Sequence, residues 1–133
     1  MTVSPLDNFD ERWKITKKWL DSNPNKWETF GGGVYPIDWV ELKVKLENNI
    51  NLFTSSKAYF THFTYINSSA YDKILNYDYD KHGPIDHYIN NDKYFKFITI
   101  YPFLAFQESG QSDIANNNVT HTYDDSIFKN KLN

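Results

Sequence analysis

The sequence predicts an α+β fold: an N-terminal amphipathic helix packed on a mainly antiparallel β-sheet, in one small domain. Three observations carry this reading. Apolar residues recur at spacings of three and four between Leu6 and Leu20, as one face of a helix requires. Later segments alternate apolar with charged residues, or are rich in Tyr, Phe, Thr and Ile, the types that suit a pleated surface. Helix precedes strands, and no internal repeat or long linker divides the 133 residues, so a single core is expected.

The first helix is expected to open at Ser4-Pro5-Leu6-Asp7, where Ser4 caps, Pro5 occupies the first helical position and Asp7 favours the positive end of the dipole. Leu6, Phe9, Trp13, Thr16 and Leu20 form its buried stripe, and Ser22-Asn23-Pro24-Asn25 stops it, because the residue before a proline avoids the α region. The chain then divides into the helix and its stop (1–24), an aromatic and glycine-rich loop (25–38), a sheet (39–107) with a Tyr/Asp-rich insertion (68–92), and a polar, loosely ordered tail (108–133).

Gly31-Gly32-Gly33 invites a phosphate-cradle reading, but Val34-Tyr35-Pro36 follows in place of Gly-Lys-Ser/Thr, so the triplet reads as a flexible connection. Asp38-Trp39-Val40-Glu41 resembles a helix cap, yet Val40, Leu42, Val44 and Leu46 interleave with Glu41, Lys43, Lys45 and Glu47, and strict alternation indicates a half-buried strand. Asn48-Asn49 permits a turn into a return strand from Ile50. Segments 58–67 and 93–106 read as central strands, the second interrupted at Pro102 by an edge, a bulge or a bend. Short helices are expected over 70–76 and 84–90, and residues 120–128 are expected to add an edge strand.

Composition excludes several classes. The chain has no cysteine, which removes disulfide scaffolds, thiolate zinc sites and thiol nucleophiles. Arg12 is the single arginine, so the bidentate fork that reads phosphates and base edges is missing, and nucleic acid is not the expected partner. The start of the chain lacks a basic and then apolar leader, and no window approaches a membrane span. The expected location is cytoplasmic.

Catalytic and metal motifs do not assemble. Asp78, Asp80, Gly83 and Asp86 match positions 1, 3, 6 and 9 of a calcium loop, but Ile89 stands where the bidentate acid belongs. His82 and His87 with a nearby Asp lack the spacing that fixes a transition-metal site. His121 beside Asp124 and Asp125 reads as exposed, and Ser109-Gly110 as loop. No cofactor and no metal is expected.

The informative stretch is 71–92. Five Asp and two Lys give it a charge of 2 − 5 = −3, equal to the net charge of the whole chain. Tyr71, Tyr77, Tyr79, Tyr88 and Tyr94 stand among these acids and are expected to be at least half exposed. Tyrosine offers rigid amphipathic contact area, and interleaved carboxylates attract a basic partner. The predicted partner-binding set is Tyr71, Asp72, Tyr77, Asp78, Tyr79, Asp80, Asp86, His87 and Tyr88. The expected function is a non-enzymatic, immunity-type inhibitor of a basic protein such as a nuclease toxin. The alternative is a cone-like α+β domain, enzymatic or ligand-binding, with an aromatic pocket around His62, which shares a strand face with Phe60, Thr64 and Ile66.

Overall fold

The computed structural model describes residues 3–6, 8–107 and 125–133. In chain order its elements are β1 (Val3–Pro5), α1 (Phe9–Ser22), β2 (Thr29–Gly31), β3 (Tyr35–Pro36), β4 (Val40–Leu46), β5 (Ile50–Ser55), β6 (Ala58–Tyr59), β7 (Thr64–Ile66), a 3₁₀ turn (Ser68–Ala70), α2 (Tyr71–Leu75), α3 (Tyr79–His82), α4 (Ile85–Ile89), β8 (Phe97–Tyr101), β9 (Ala105–Gln107) and α5 (Ser126–Leu132). A five-stranded sheet in the order β4-β5-β8-β2-β7 forms the centre, antiparallel except where β8 meets β2, with two-stranded pairs β1–β9 and β3–β6 beside it. This is a small α+β domain with an N-terminal helix and a mainly antiparallel sheet.

The two strands at the heart of the sheet are buried at every position, because both sheet faces are covered. Ile50, Leu52, Ile98 and Ile100 point towards α1 and pack with Leu20, Trp27, Phe30 and Leu104. On the other face Phe53 and Tyr101 pack with Val40, Phe103 and Phe128 of α5. Buried polar groups on these strands are satisfied: Thr99 Oγ1 donates to the Gly31 carbonyl at 2.8 Å and Asn51 Nδ2 to the Tyr101 carbonyl at 3.1 Å.

The alternation over residues 40–46 does mark a strand, but it does not mark one face. The register shifts between Leu42 and Val44, so Leu42 opposes Phe53 whereas Val44 opposes Leu52. A bulge at Lys43 thus sends Val40 and Leu42 to the α5 side and Val44 and Leu46 to the α1 side. β4 is also a sheet edge, and its charged, bulged outer side discourages pairing with another chain.

Several expectations are corrected. Ser4 does not cap α1: residues 3–5 pair with β9, and the helix starts at Phe9 after Asn8, whose φ is 60°. The pairing partner is distant in sequence, so it outweighs the local cap signal. The glycine triplet is not a flexible connection. Gly31 lies inside the sheet between β7 and β8, and the Gly33 backbone approaches Ala105 so closely that a Cβ would stand 1.9 Å from the Ala105 carbonyl oxygen. Segment 58–67 is not one central strand: it breaks into β6 and the edge strand β7 at Phe60, whose φ is 84°. β8 ends before Pro102 and β9 follows, as a bend between two short strands. From Ser126 the described part of 120–128 is helical and not a strand, and Phe128 on that helix is fully buried.

The lone arginine is internal. Arg12 donates to the carbonyls of Phe103, at 3.0 Å, and Pro102, and burial lowers its pKa.

Candidate functional site

The insertion between β7 and β8 is built on its own small core. Ala70, Tyr88, Ile89 and Phe95 are buried there, with Ile66, Ile74, Tyr77 and Tyr94 packed against them. Local chemistry sets its short helices. Asn67 accepts from the Ser69 N–H at 3.2 Å and starts the 3₁₀ turn; Asp78 accepts from the Asp80 N–H at 3.0 Å and caps α3. Gly83, at φ 72°, ends α3 in a conformation that costs glycine little.

Within this frame the predicted residues divide into two groups. Tyr88 is only 4% exposed, contrary to expectation, because its hydroxyl finds a partner inside: it donates to the Lys73 carbonyl at 2.8 Å. Tyr77 and Tyr94 are also partly buried, and the Tyr77 hydroxyl donates to the Gly83 carbonyl at 2.5 Å. Burial raises the pKa of both Tyr77 and Tyr88. Asp86 is occupied structurally. Its two oxygens accept from the N–H groups of Phe60 and His87, each at 3.0 Å, while Asn90 Nδ2 donates to the Phe60 carbonyl at 2.6 Å. Together these contacts hold Phe60 at its positive φ.

The second group faces water. Tyr71 is 54% exposed and Tyr79 65%, and Asp72, Asp78 and Asp80 are exposed beside them. None of these three acids forms an ion pair among the described residues. Sequence reasoning missed Leu75, which is 82% exposed and lies one turn after Tyr71 on α2. The i, i+4 spacing was the available signal.

The two histidines of the insertion serve different contacts. His82 stacks on Tyr88 at 4.2 Å between ring centroids, and its Nδ1 accepts from the Asp78 N–H at 3.0 Å, which leaves the proton of the neutral ring on Nε2. His87 lies edge-on to Tyr59 at 4.7 Å, and its buried Nε2 has no hydrogen-bond partner. Both rings line a cleft of about 450 Å³ with Trp39, Lys57, Asp92 and Tyr94. Among the described residues no three His, Asp or Glu side chains converge to hold a metal ion.

Comparisons with protein-family models, curated proteins and solved structures return no match. The assignment of function therefore rests on the geometry.

His62, the centre of the alternative reading, is partly buried, with Nε2 3.4 Å from the Ala105 carbonyl oxygen and Nδ1 buried without a partner. Burial lowers its pKa, and the contact with Ala105 opposes that shift. Among the described residues no carboxylate orients it, and it lines neither the 450 Å³ cleft nor the 740 Å³ one. His121, Asp124, Ser109 and Gly110 lie outside the described residues. No helix is long and apolar enough to cross a membrane among the described residues.

Proposed function

We propose that the chain is a non-enzymatic binding protein, an immunity-type inhibitor that neutralises a basic partner such as a nuclease toxin. The docking surface is the outer side of α2 and α3. The observation that supports this most is the placement of Tyr71 and Leu75 on one side of α2, both largely in water, with Tyr79 following on α3. Rigid apolar contact area left exposed in a cluster is what a protein-binding centre needs. Asp72, Asp78 and Asp80 add unneutralised negative charge around it, which speeds encounter with a cationic surface and disfavours acidic competitors.

The test uses Asp72→Lys with Asp80→Lys, two exposed side chains that hold no hydrogen bond among the described residues. Immobilised wild-type protein should capture a strongly basic protein, and the double variant should lose it. With that partner isolated, the association rate of the variant should fall about tenfold at low salt and approach the wild-type rate at high salt. Equal capture by both proteins, or association rates that match at low salt, ends this reading.

A further inference from the structure

A second surface, of opposite sign, lies where α1 runs out over the sheet, and it goes beyond the partner surface described above. Past Trp19 the α1 side of the sheet presents Val44, Thr54 and Ile98 as the floor of a cleft of about 740 Å³. Lys26, Lys43, Lys73, Lys93 and Lys96 line it together with Glu28 and Asp92. Glu41 stands beside the cleft and pairs with Lys43 at 3.5 Å, so five cations face three acids, an excess of two positive charges in a chain whose net charge is −3.

Three of the lysines, Lys73, Lys93 and Lys96, are held by their surroundings. Glu28, with a side chain only 13% exposed, accepts from the Lys73 ammonium at 3.1 Å and from the Lys96 N–H at 2.9 Å. The Lys96 ammonium donates to the Asn25 carbonyl at 3.1 Å. Lys73 lies over the Phe95 ring and Lys93 over the Tyr94 ring, at 5.2 and 5.4 Å from the centroids. Lys26, Lys93 and Lys96 form no ion pair among the described residues. Like charges gathered this way repel one another, and a multivalent anion in the cleft would relieve that repulsion.

We propose that this cleft binds a compact polyvalent anion, a small molecule with two or more phosphate or carboxylate groups. Its volume falls in the range of small-molecule sites. All five lysines line one depression and the only guanidinium is inside the protein, so a long polyanion is not the expected ligand. Ammonium groups act as point charges and do not distinguish phosphate from carboxylate by geometry.

Calorimetric titration at low ionic strength with tripolyphosphate and with citrate tests the assignment, and the stronger of the two names the anion class. At least one should bind saturably with a stoichiometry of one, and acetate should not. Lys26→Gln with Lys93→Gln and Lys96→Gln should weaken binding at least tenfold, whereas Lys14→Gln with Lys17→Gln and Lys18→Gln, an exposed lysine cluster on α1, should leave it within twofold. If the triple variant is not folded by circular dichroism, Lys26→Gln alone, which removes no ion pair or hydrogen bond among the described residues, should still weaken binding measurably. Asp72→Lys with Asp80→Lys should retain anion binding, which separates this site from the partner surface. Absence of saturable binding by both anions, or equal weakening by the two lysine triples, overturns the proposal.

Discussion

The phenol of Tyr101, at the end of β8, donates a 2.7 Å hydrogen bond to the carboxylate of Asp125, the residue that precedes α5. Phe128 lies flat on the same Tyr101 ring, 5.3 Å away and 3° from parallel, and meets Phe53 and Phe103 edge-on. One polar bond and one aromatic cluster therefore fasten the end of the chain to the sheet face opposite α1.

This fastening should be pH-dependent at both extremes. Burial first, and then the bond to Asp125, push the Tyr101 phenol up to about 12, while the bond from Tyr101 lowers the pKa of Asp125. A raised folded pKa means that the contribution of Tyr101 is complete below its unfolded value near 10 and is lost as pH rises towards about 12. A lowered folded pKa means that the contribution of Asp125 is complete above its unfolded value of 3.8 and is lost as pH falls through the folded one. Because Asp125 is partly exposed, Tyr101→Phe should cost about 1 kcal/mol at neutral pH and not the roughly 2–3 kcal/mol of a buried charged bond. Urea unfolding of wild type and variant from acid to alkaline pH checks this; the difference should shrink at both ends.

Phe128→Ala should cost much more, about 3–4 kcal/mol, since the side chain is wholly buried and its removal leaves a cavity between three aromatic rings. A normal far-ultraviolet spectrum for β with a large drop in the urea midpoint is the expected result. A loss under 1 kcal/mol would mean that α5 does not pack on the sheet as described.

Two glycines should respond differently to alanine. At Gly33 the new methyl meets the Ala105 backbone at 1.9 Å and His62 Nε2 at 3.1 Å, so a strand connection must move. The cost should reach about 3 kcal/mol or more. At Gly83 nothing lies within 4 Å, and only the backbone, at φ 72° and ψ −157°, opposes a side chain, a penalty of about 1–3 kcal/mol. Thermal unfolding of the two variants should rank them in this order.

His62 should destabilise the fold in mild acid. Its pKa is lowered, mainly by burial, so the folded state keeps the ring neutral while the unfolded chain takes up a proton near pH 6.5. Stability is therefore lost as pH falls below about 6.5, until the folded pKa is passed. His62→Leu should flatten that part of the stability profile relative to wild type, and the ring protons of His62 should titrate below those of a free histidine by nuclear magnetic resonance.

The elements that were legible in the sequence are those set by local pattern. α1 shows in the spacing of Phe9, Trp13, Thr16 and Leu20, β4 in its alternation, and α2 and α4 fall within the short helices expected over 70–76 and 84–90. What could not be read depends on partners far along the chain. Thr29-Phe30-Gly31 is a strand because β7 and β8 flank it, and segment 58–67 is broken because Asp86 and Asn90 grip Phe60 from the insertion. The lysine cleft leaves no local trace, since its lysines come from positions 26 to 96. The Tyr/Asp stretch was visible as composition, but which rings face inward depends on backbone carbonyls that only the fold brings within reach.

That division of the tyrosines makes the last prediction. Tyr88→Phe removes the bond from a buried ring to the Lys73 carbonyl, so it should cost about 1 kcal/mol. Tyr71→Ser and Leu75→Ser remove exposed side chains with no hydrogen bond among the described residues and should change stability by no more than about 0.5 kcal/mol. If the outer side of α2 is a docking centre, the stability-neutral pair should weaken capture of the basic partner most, and Tyr88→Phe least. Urea midpoints together with partner dissociation rates for the three variants decide it, because a merely structural insertion would couple the two measurements and a docking surface separates them.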